Sequence, residues 1–222
     1  MNWTSDIKGV IFDIDGVLLD SLGIWKDLGA RYLRRIGKDP EPALGEILFP
    51  MSMEQGAEYL TEHYRLEQTW QEVLDGIQTM IRDFYYDEVK AKPEAAQLLQ
   101  FIRRSGLQMA AATSSPRGHV ERALERNGLL QYIDRIYCSS EVGSSKYSPE
   151  IYDMAASWMG LDRKEICVFE DSLYALRTAA DAGYYTVGVY DQNGEPDQNG
   201  LKKAADLYIG PGESYRIIIA DA

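Results

Sequence analysis

Cysteine is scarce in this chain: Cys138 and Cys167 are the only two among 222 residues. Both lie in short apolar runs, Ile136-Tyr137-Cys138 and Ile166-Cys167-Val168. They read as buried, reduced thiols, which argues against a disulfide framework or a cysteine metal centre. Histidine is equally rare. His63 sits among Glu62, Tyr64 and Arg65, and His119 opens a surface helix, so neither points to a site. No apolar run approaches the roughly 20 residues of a membrane helix. The N-terminus lacks the charged-then-apolar pattern of a secretory leader. A cytoplasmic protein with no membrane partner is the expectation. Positive charge is in deficit, with a net charge of −12. Nucleic-acid binding, which needs a basic face, is therefore not expected. An anionic ligand has to be drawn in by local cations. There is no internal repeat and no low-complexity tract.

The chain does have enough apolar content, 45%, for a substantial core. Its length accommodates one core domain and a smaller accessory unit, and a monomer is expected.

The most informative stretch runs from Val10 to Ser21. An apolar strand, Val10-Ile11-Phe12, ends in Asp13-Ile14-Asp15-Gly16. Alternation along a strand sends Asp13 and Asp15 to the same side, so their carboxylates converge. Like charges that close repel unless a cation or a shared proton relieves them. This pattern suits a divalent metal, a nucleophile and an acid/base packed into one turn. Asp-X-Asp-Gly also occurs in ordinary turns. A calcium loop, however, continues with oxygen ligands and closes on a distant glutamate. Here Val17, Leu18 and Leu19 follow instead.

Three later segments sharpen the signal. Met109 to Ala112 reads as a strand ending in the hydroxyls Thr113, Ser114 and Ser115. Lys146 lies in a turn-rich loop, Gly143 to Pro149. Ile166 to Phe169 is a third apolar strand, ending in Glu170 and Asp171. Each alone has an ordinary reading as a helix cap, a solvated lysine or a capping acid. In this order they supply carboxylates, a hydroxyl, a cation and more carboxylates, mostly at strand ends.

On these motifs the chain resembles the haloacid dehalogenase superfamily of hydrolases, in the branch of β-phosphoglucomutase and small sugar phosphatases. Asp13-Ile14-Asp15-Gly16 is similar to the first motif of that family, and Thr113 to the hydroxyl of the second. Lys146 is similar to the lysine of the third, and Glu170-Asp171 to the acidic fourth. The resemblance implies an α/β, Rossmann-like three-layer core with a parallel sheet and an inserted α-helical cap. Its first strand would be central, between those bearing Thr113 and Asp171. The implied activity is magnesium-dependent hydrolysis of a small phosphorylated metabolite, with sugar phosphates among the candidates.

The order of elements agrees with this. From Leu22 to about Tyr85 the apolar spacing is helical, with helices expected at Leu22–Ile36, Met53–Tyr64 and Thr69–Tyr85. No convincing strand occurs there. From Pro93 onward helices and strands alternate, which implies a parallel sheet covered on both faces. Ligands bind beyond the carboxyl ends of such strands, where Asp13, Thr113 and Asp171 fall. The expected division is a core of residues 1–16 and 92–222 and a cap of residues 17–91. Asn193–Gly200 is expected to be a surface loop.

The resemblance assigns roles. Asp13 is the nucleophile, and Asp15 protonates the leaving oxygen and then activates water. Lys146 and Thr113, with Ser114, hold phosphoryl oxygens. Asp13, the Asp15 carbonyl and Asp171 bind Mg2+, with Glu170 binding it directly or orienting a metal water. Two residues stand apart as candidates for substrate contact. Trp25 reads first as part of an apolar helical stripe and also as a stacking ring. Arg117 either reaches a distal anionic group or faces solvent. The mutase pattern calls for a cap arginine, whereas Pro50-Met51-Ser52-Met53-Glu54 offers none. A phosphatase is therefore the leading reading, a phosphosugar mutase the next, and a non-catalytic metabolite sensor the remotest.

Overall fold

A computed structural model describes residues 6–220. Among these, six strands form one parallel sheet: β1 (Gly9–Phe12), β2 (Gln108–Thr113), β3 (Arg135–Cys138), β4 (Ile166–Glu170), β5 (Tyr185–Val189) and β6 (Leu207–Ile209). Their order is β3-β2-β1-β4-β5-β6. The first strand is central, with Ile11 beside Ala110 of β2 on one side and Val168 of β4 on the other. All four residues of β1 are buried. A strand covered on both faces needs such a continuous apolar run rather than alternation.

Each face has its own packing. Ile11, Ala110, Ala112 and Val168 meet Ile151, Tyr152 and Ala155 of the helix Glu150–Met159, together with Ala179 of the helix Leu173–Ala182. On the other face Phe12 packs on Phe169, ring centroids 4.7 Å apart, and Phe169 on Tyr215. This is the Rossmann-like arrangement. Every connection returns the chain so that β1, β2 and β4 end side by side at their carboxyl termini.

The chain divides into two compact units, with Leu22–Glu88 forming the second. It is all helical: Gly23–Arg35, Leu44–Leu48, Met53–His63 and Trp70–Asp83, followed by a wider turn of helix at Phe84–Glu88. Ser52 and Thr69 cap two of these helices reciprocally with Gln55 and Glu72. Leu33, Leu44, Leu60 and Val73 form its buried interior. The short helix Leu44–Leu48 was not anticipated. Gly45 allows it, because a Cβ there would stand 2.1 Å from the Lys26 carbonyl oxygen.

By packing, residues 17–21 and 89–91 belong with the core rather than with the insertion to which the sequence reading assigned them. Leu19 pairs with Ala91, Asp20 N–H donates to the Lys90 carbonyl, and Lys92 N–H to that of Leu18. This small ladder ties both connecting segments to the sheet unit. The loop expected at Asn193–Gly200 is also shorter than anticipated. Asp197 accepts a hydrogen bond from Gly200 N–H and starts a helix at Gln198–Ala204.

Candidate active site

The end of β1 is extended one residue by a hydrogen bond from Asp13 N–H to the Phe169 carbonyl. That bond fixes Asp13 beside the end of β4, where Glu170 and Asp171 emerge. Carboxylate oxygens of Asp13, Glu170 and Asp171 lie within 4.8 Å of one another, and all three residues are buried. Lys146, 3% exposed, reaches into this group and pairs with Asp13 Oδ1 and, at 2.6 Å, with Glu170 Oε1. The buried Tyr152 hydroxyl donates to the same Glu170 oxygen at 2.8 Å.

Three carboxylates here face one ammonium. Burial raises the Asp13 pKa well above the usual range, and Glu170, Asp171 and Asp15 add to the shift while Lys146 opposes it. Asp171 is pushed up to about 7, chiefly by burial and then by Glu170. Burial alone would lower the Lys146 pKa, but Asp13 and Glu170 outweigh it and raise it. A divalent cation would relieve this excess of negative charge. The donors are all oxygen, which a hard cation prefers, and their spacing suits metal–oxygen distances of about 2.0–2.6 Å. The residues present therefore fit the implied metal.

Asp15 is held differently. After it, Gly16 turns the chain with a φ of +79°, a conformation that disfavours side chains. Its N–H donates to the Leu19 carbonyl. The turn brings Ser21 back, so its hydroxyl donates to Asp15 Oδ1 at 2.5 Å. From the other side Ser115 Oγ donates to Asp15 Oδ2 at 2.6 Å. Both carboxylate oxygens are thus oriented by hydroxyls. Thr113 is fully buried at the end of β2, and its hydroxyl accepts from Ser115 N–H at 3.0 Å.

The structure gathers Asp13, Lys146, Glu170 and Asp171 into one cluster, with Asp15 and Thr113 joined through Ser115. Ser114 is exposed, and its neighbour Ser115 makes the contacts. Arg117 is held by Glu141, Glu121 and the Ile136 carbonyl. These partners already occupy the guanidinium. Trp25 is half exposed rather than part of the helical unit's interior. It lines a cleft of about 260 Å³ in that unit with Phe49, Met51 and Met53. The sequence assigns no role to Ser21, Ser115 or Tyr152. Each donates to a carboxylate of the cluster or its neighbour, and a lone hydroxyl carries no spacing signal.

The sequence pattern of the haloacid dehalogenase-like hydrolases matches residues 7–183. A phosphorylated carbohydrates phosphatase of Thermotoga maritima is 25% identical over 80% of this chain and 82% of its own length. Hexitol phosphatase A of Escherichia coli is 27% identical over 82% of each. Among solved structures, a Thermotoga maritima protein provisionally named β-phosphoglucomutase superposes with a TM-score of 0.84. It is 24% identical, covering 96% of this chain and 98% of that one.

Proposed function

Because this chain belongs to the haloacid dehalogenase-like hydrolases, we propose that it is a magnesium-dependent phosphatase of a small phosphorylated metabolite, a sugar phosphate in the first instance. One observation carries the reading: Asp13, Glu170 and Asp171 are buried together around Lys146 at adjoining strand ends. Such an assembly is costly to bury and serves a doubly charged anion and its counter-ion. The names of the phosphatase relatives support the substrate class.

Asp13 attacks phosphorus through a carboxylate oxygen, and the bond from phosphorus to the alcohol oxygen breaks. Asp15 delivers a proton to that oxygen as it leaves. A water molecule then attacks the aspartyl-phosphate, and Asp15 removes its proton. Inorganic phosphate departs and Asp13 is regenerated. Lys146 and the Thr113 hydroxyl neutralise and orient the phosphoryl oxygens. Asp13, the Asp15 carbonyl and Asp171 would hold the magnesium ion, with Glu170 beside them. When bound, the ion supplies positive charge against the repulsion between carboxylate and phosphate. The two buried free thiols suit a reducing, cytoplasmic setting.

Transfer to water, rather than to a second sugar hydroxyl, follows from the absence of arginine in Pro50–Glu54. A panel of sugar phosphates should release phosphate with magnesium, and excess chelator should abolish the release. β-Glucose 1-phosphate with a trace of the bisphosphate should yield free phosphate or nothing. Rapid glucose 6-phosphate formation would establish a mutase instead, and full turnover in chelator would remove the metal from the account.

A further inference from the structure

Lys92 lies just past the segment that brings the chain back into the core unit, yet its side chain is only 14% exposed and that of its partner Asp191 only 3%. Its ammonium donates to the Gly16 carbonyl at 2.8 Å, the Tyr190 carbonyl at 3.0 Å and Asp191 Oδ2 at 2.8 Å. Three acceptors use all three of its protons. Asp191 Oδ1 in turn accepts from Asn193 N–H at 2.7 Å. The pair therefore locks together the turn after Asp15, the end of β5 and the loop beyond it. The Lys92 N–H also donates to the Leu18 carbonyl. A single residue thus grips the 16–19 turn at two carbonyls, one from its side chain and one from its backbone.

That turn decides where Asp15 stands. Asp15 precedes Gly16 directly, and Ser21, whose hydroxyl orients Asp15 Oδ1, follows the turn. The Gly16 backbone has a positive φ and no side chain to anchor it. The Lys92 ammonium holds the Gly16 carbonyl, beside the Gly16 N–H bond to the Leu19 carbonyl and the Tyr215 hydroxyl donated to the Val17 carbonyl. The geometry points to Lys92, braced by Asp191, as a positioning residue for Asp15: it fixes the turn that carries this carboxylate and its Ser21 partner. The inference rests on the acid/base role proposed for Asp15. An ion pair that served only the fold would not have to meet the carbonyl next to the proton-transferring residue. Its loss would also slow all substrates alike.

Lys92→Met removes the ammonium and leaves Asp191 buried without a cation, which destabilises the protein. Lys92→Met/Asp191→Leu removes both charges and keeps the test independent of that cost. Both proteins, Asp15→Asn and the unaltered enzyme are compared by single-turnover alcohol release, below the lowest melting temperature of the set. The substrates are an alkyl phosphate, whose leaving group needs a proton, and p-nitrophenyl phosphate, whose leaving group does not. In the Lys92 variants the alkyl ester should lose about 10-fold more rate than the aryl ester. KM should stay within about twofold. Equal losses on the two esters, or unchanged rates, overturn the inference. If Asp15→Asn discriminates and the Lys92 variants do not, the positioning role alone fails. If Asp15→Asn does not discriminate, the acid role fails and this inference falls with it.

Discussion

Asp13→Asn is expected to leave a folded protein with turnover reduced about 10⁴-fold or more, the scale on which loss of a nucleophile is felt. The amide has nearly the shape of the carboxylate but offers phosphorus no anionic oxygen. Stability should change little, because two effects oppose each other. Lys146 loses one of its two partners but keeps Glu170 at 2.6 Å. Meanwhile the repulsion among three buried carboxylates falls to that between two. A net change near 1 kcal/mol would move the melting temperature by about 2–4 °C. Phosphate release and thermal unfolding on the same sample check both halves. Activity within tenfold of the unaltered enzyme would remove Asp13 as the nucleophile.

Lys146→Met should have the largest effect on stability. The lysine is the only cation among the described residues that pairs with Asp13 and Glu170. Without it, three buried carboxylates face each other, with hydroxyl donors on Glu170 from Tyr152 at 2.8 Å and, at the long distance of 3.5 Å, Ser172. Breaking a buried pair by removing one partner costs about 3–5 kcal/mol. In chelator this corresponds to a melting temperature lower by about 6–20 °C. Magnesium should restore part of the loss. A ligand at 100 times its dissociation constant stabilises by about 2.7 kcal/mol. Phosphatase activity should be lost with or without the metal, since the phosphoryl oxygens lack their ammonium. A melting temperature in chelator equal to that of the unaltered protein would mean that the cluster is less charged than described. A melting temperature indifferent to magnesium would argue against a metal at these carboxylates.

Much of the sheet was legible because its strands are buried on both faces. Val10-Ile11-Phe12 and Ile166-Cys167-Val168-Phe169 are unbroken apolar runs, and each ends abruptly in acids. The central place of the first strand was implied by the family resemblance alone, and the strand order has it there. The elements that the sequence pattern does not show are short or marginal. β6 is three residues at the sheet edge, too few to show a period. The helix Leu44–Leu48 is a single turn made possible by a glycine against a neighbouring carbonyl. Gln198–Ala204 follows a stretch of Gly, Asn and Asp, and its capping aspartate had the composition of a loop.

The chemical residues divide the same way. Asp13, Lys146, Glu170 and Asp171 were readable from motif spacing, and the structure brings them together. The groups that orient them were not readable. Ser115 was indistinguishable in sequence from Ser114, and only the turn after β2 shows which hydroxyl reaches Asp15. Lys92 and Asp191 are 99 positions apart, so only the folded core reveals the pair. Arg117 shows the converse case, since the sequence leaves it between a distal anionic group and solvent. In the fold it pairs with Glu141 and Glu121, partners that its nearness to Thr113 does not reveal.

The central claim is that the phosphoryl group passes through Asp13, and trapping it there is the most direct test. Asp15→Asn should slow catalysis by about 10²–10⁴-fold while leaving the nucleophile in place. An activated aryl phosphate bypasses the need for a leaving-group proton, so phosphorylation should proceed and the missing base should stall hydrolysis. The reaction is quenched in acid after the first turnover and the protein is weighed and mapped by mass spectrometry. The prediction is a mass increase of one phosphoryl group, located on the peptide containing Asp13 and absent when Asp13→Asn is added. Release of the phenol with no gain in mass, or a phosphoryl group on any other peptide, would contradict the account.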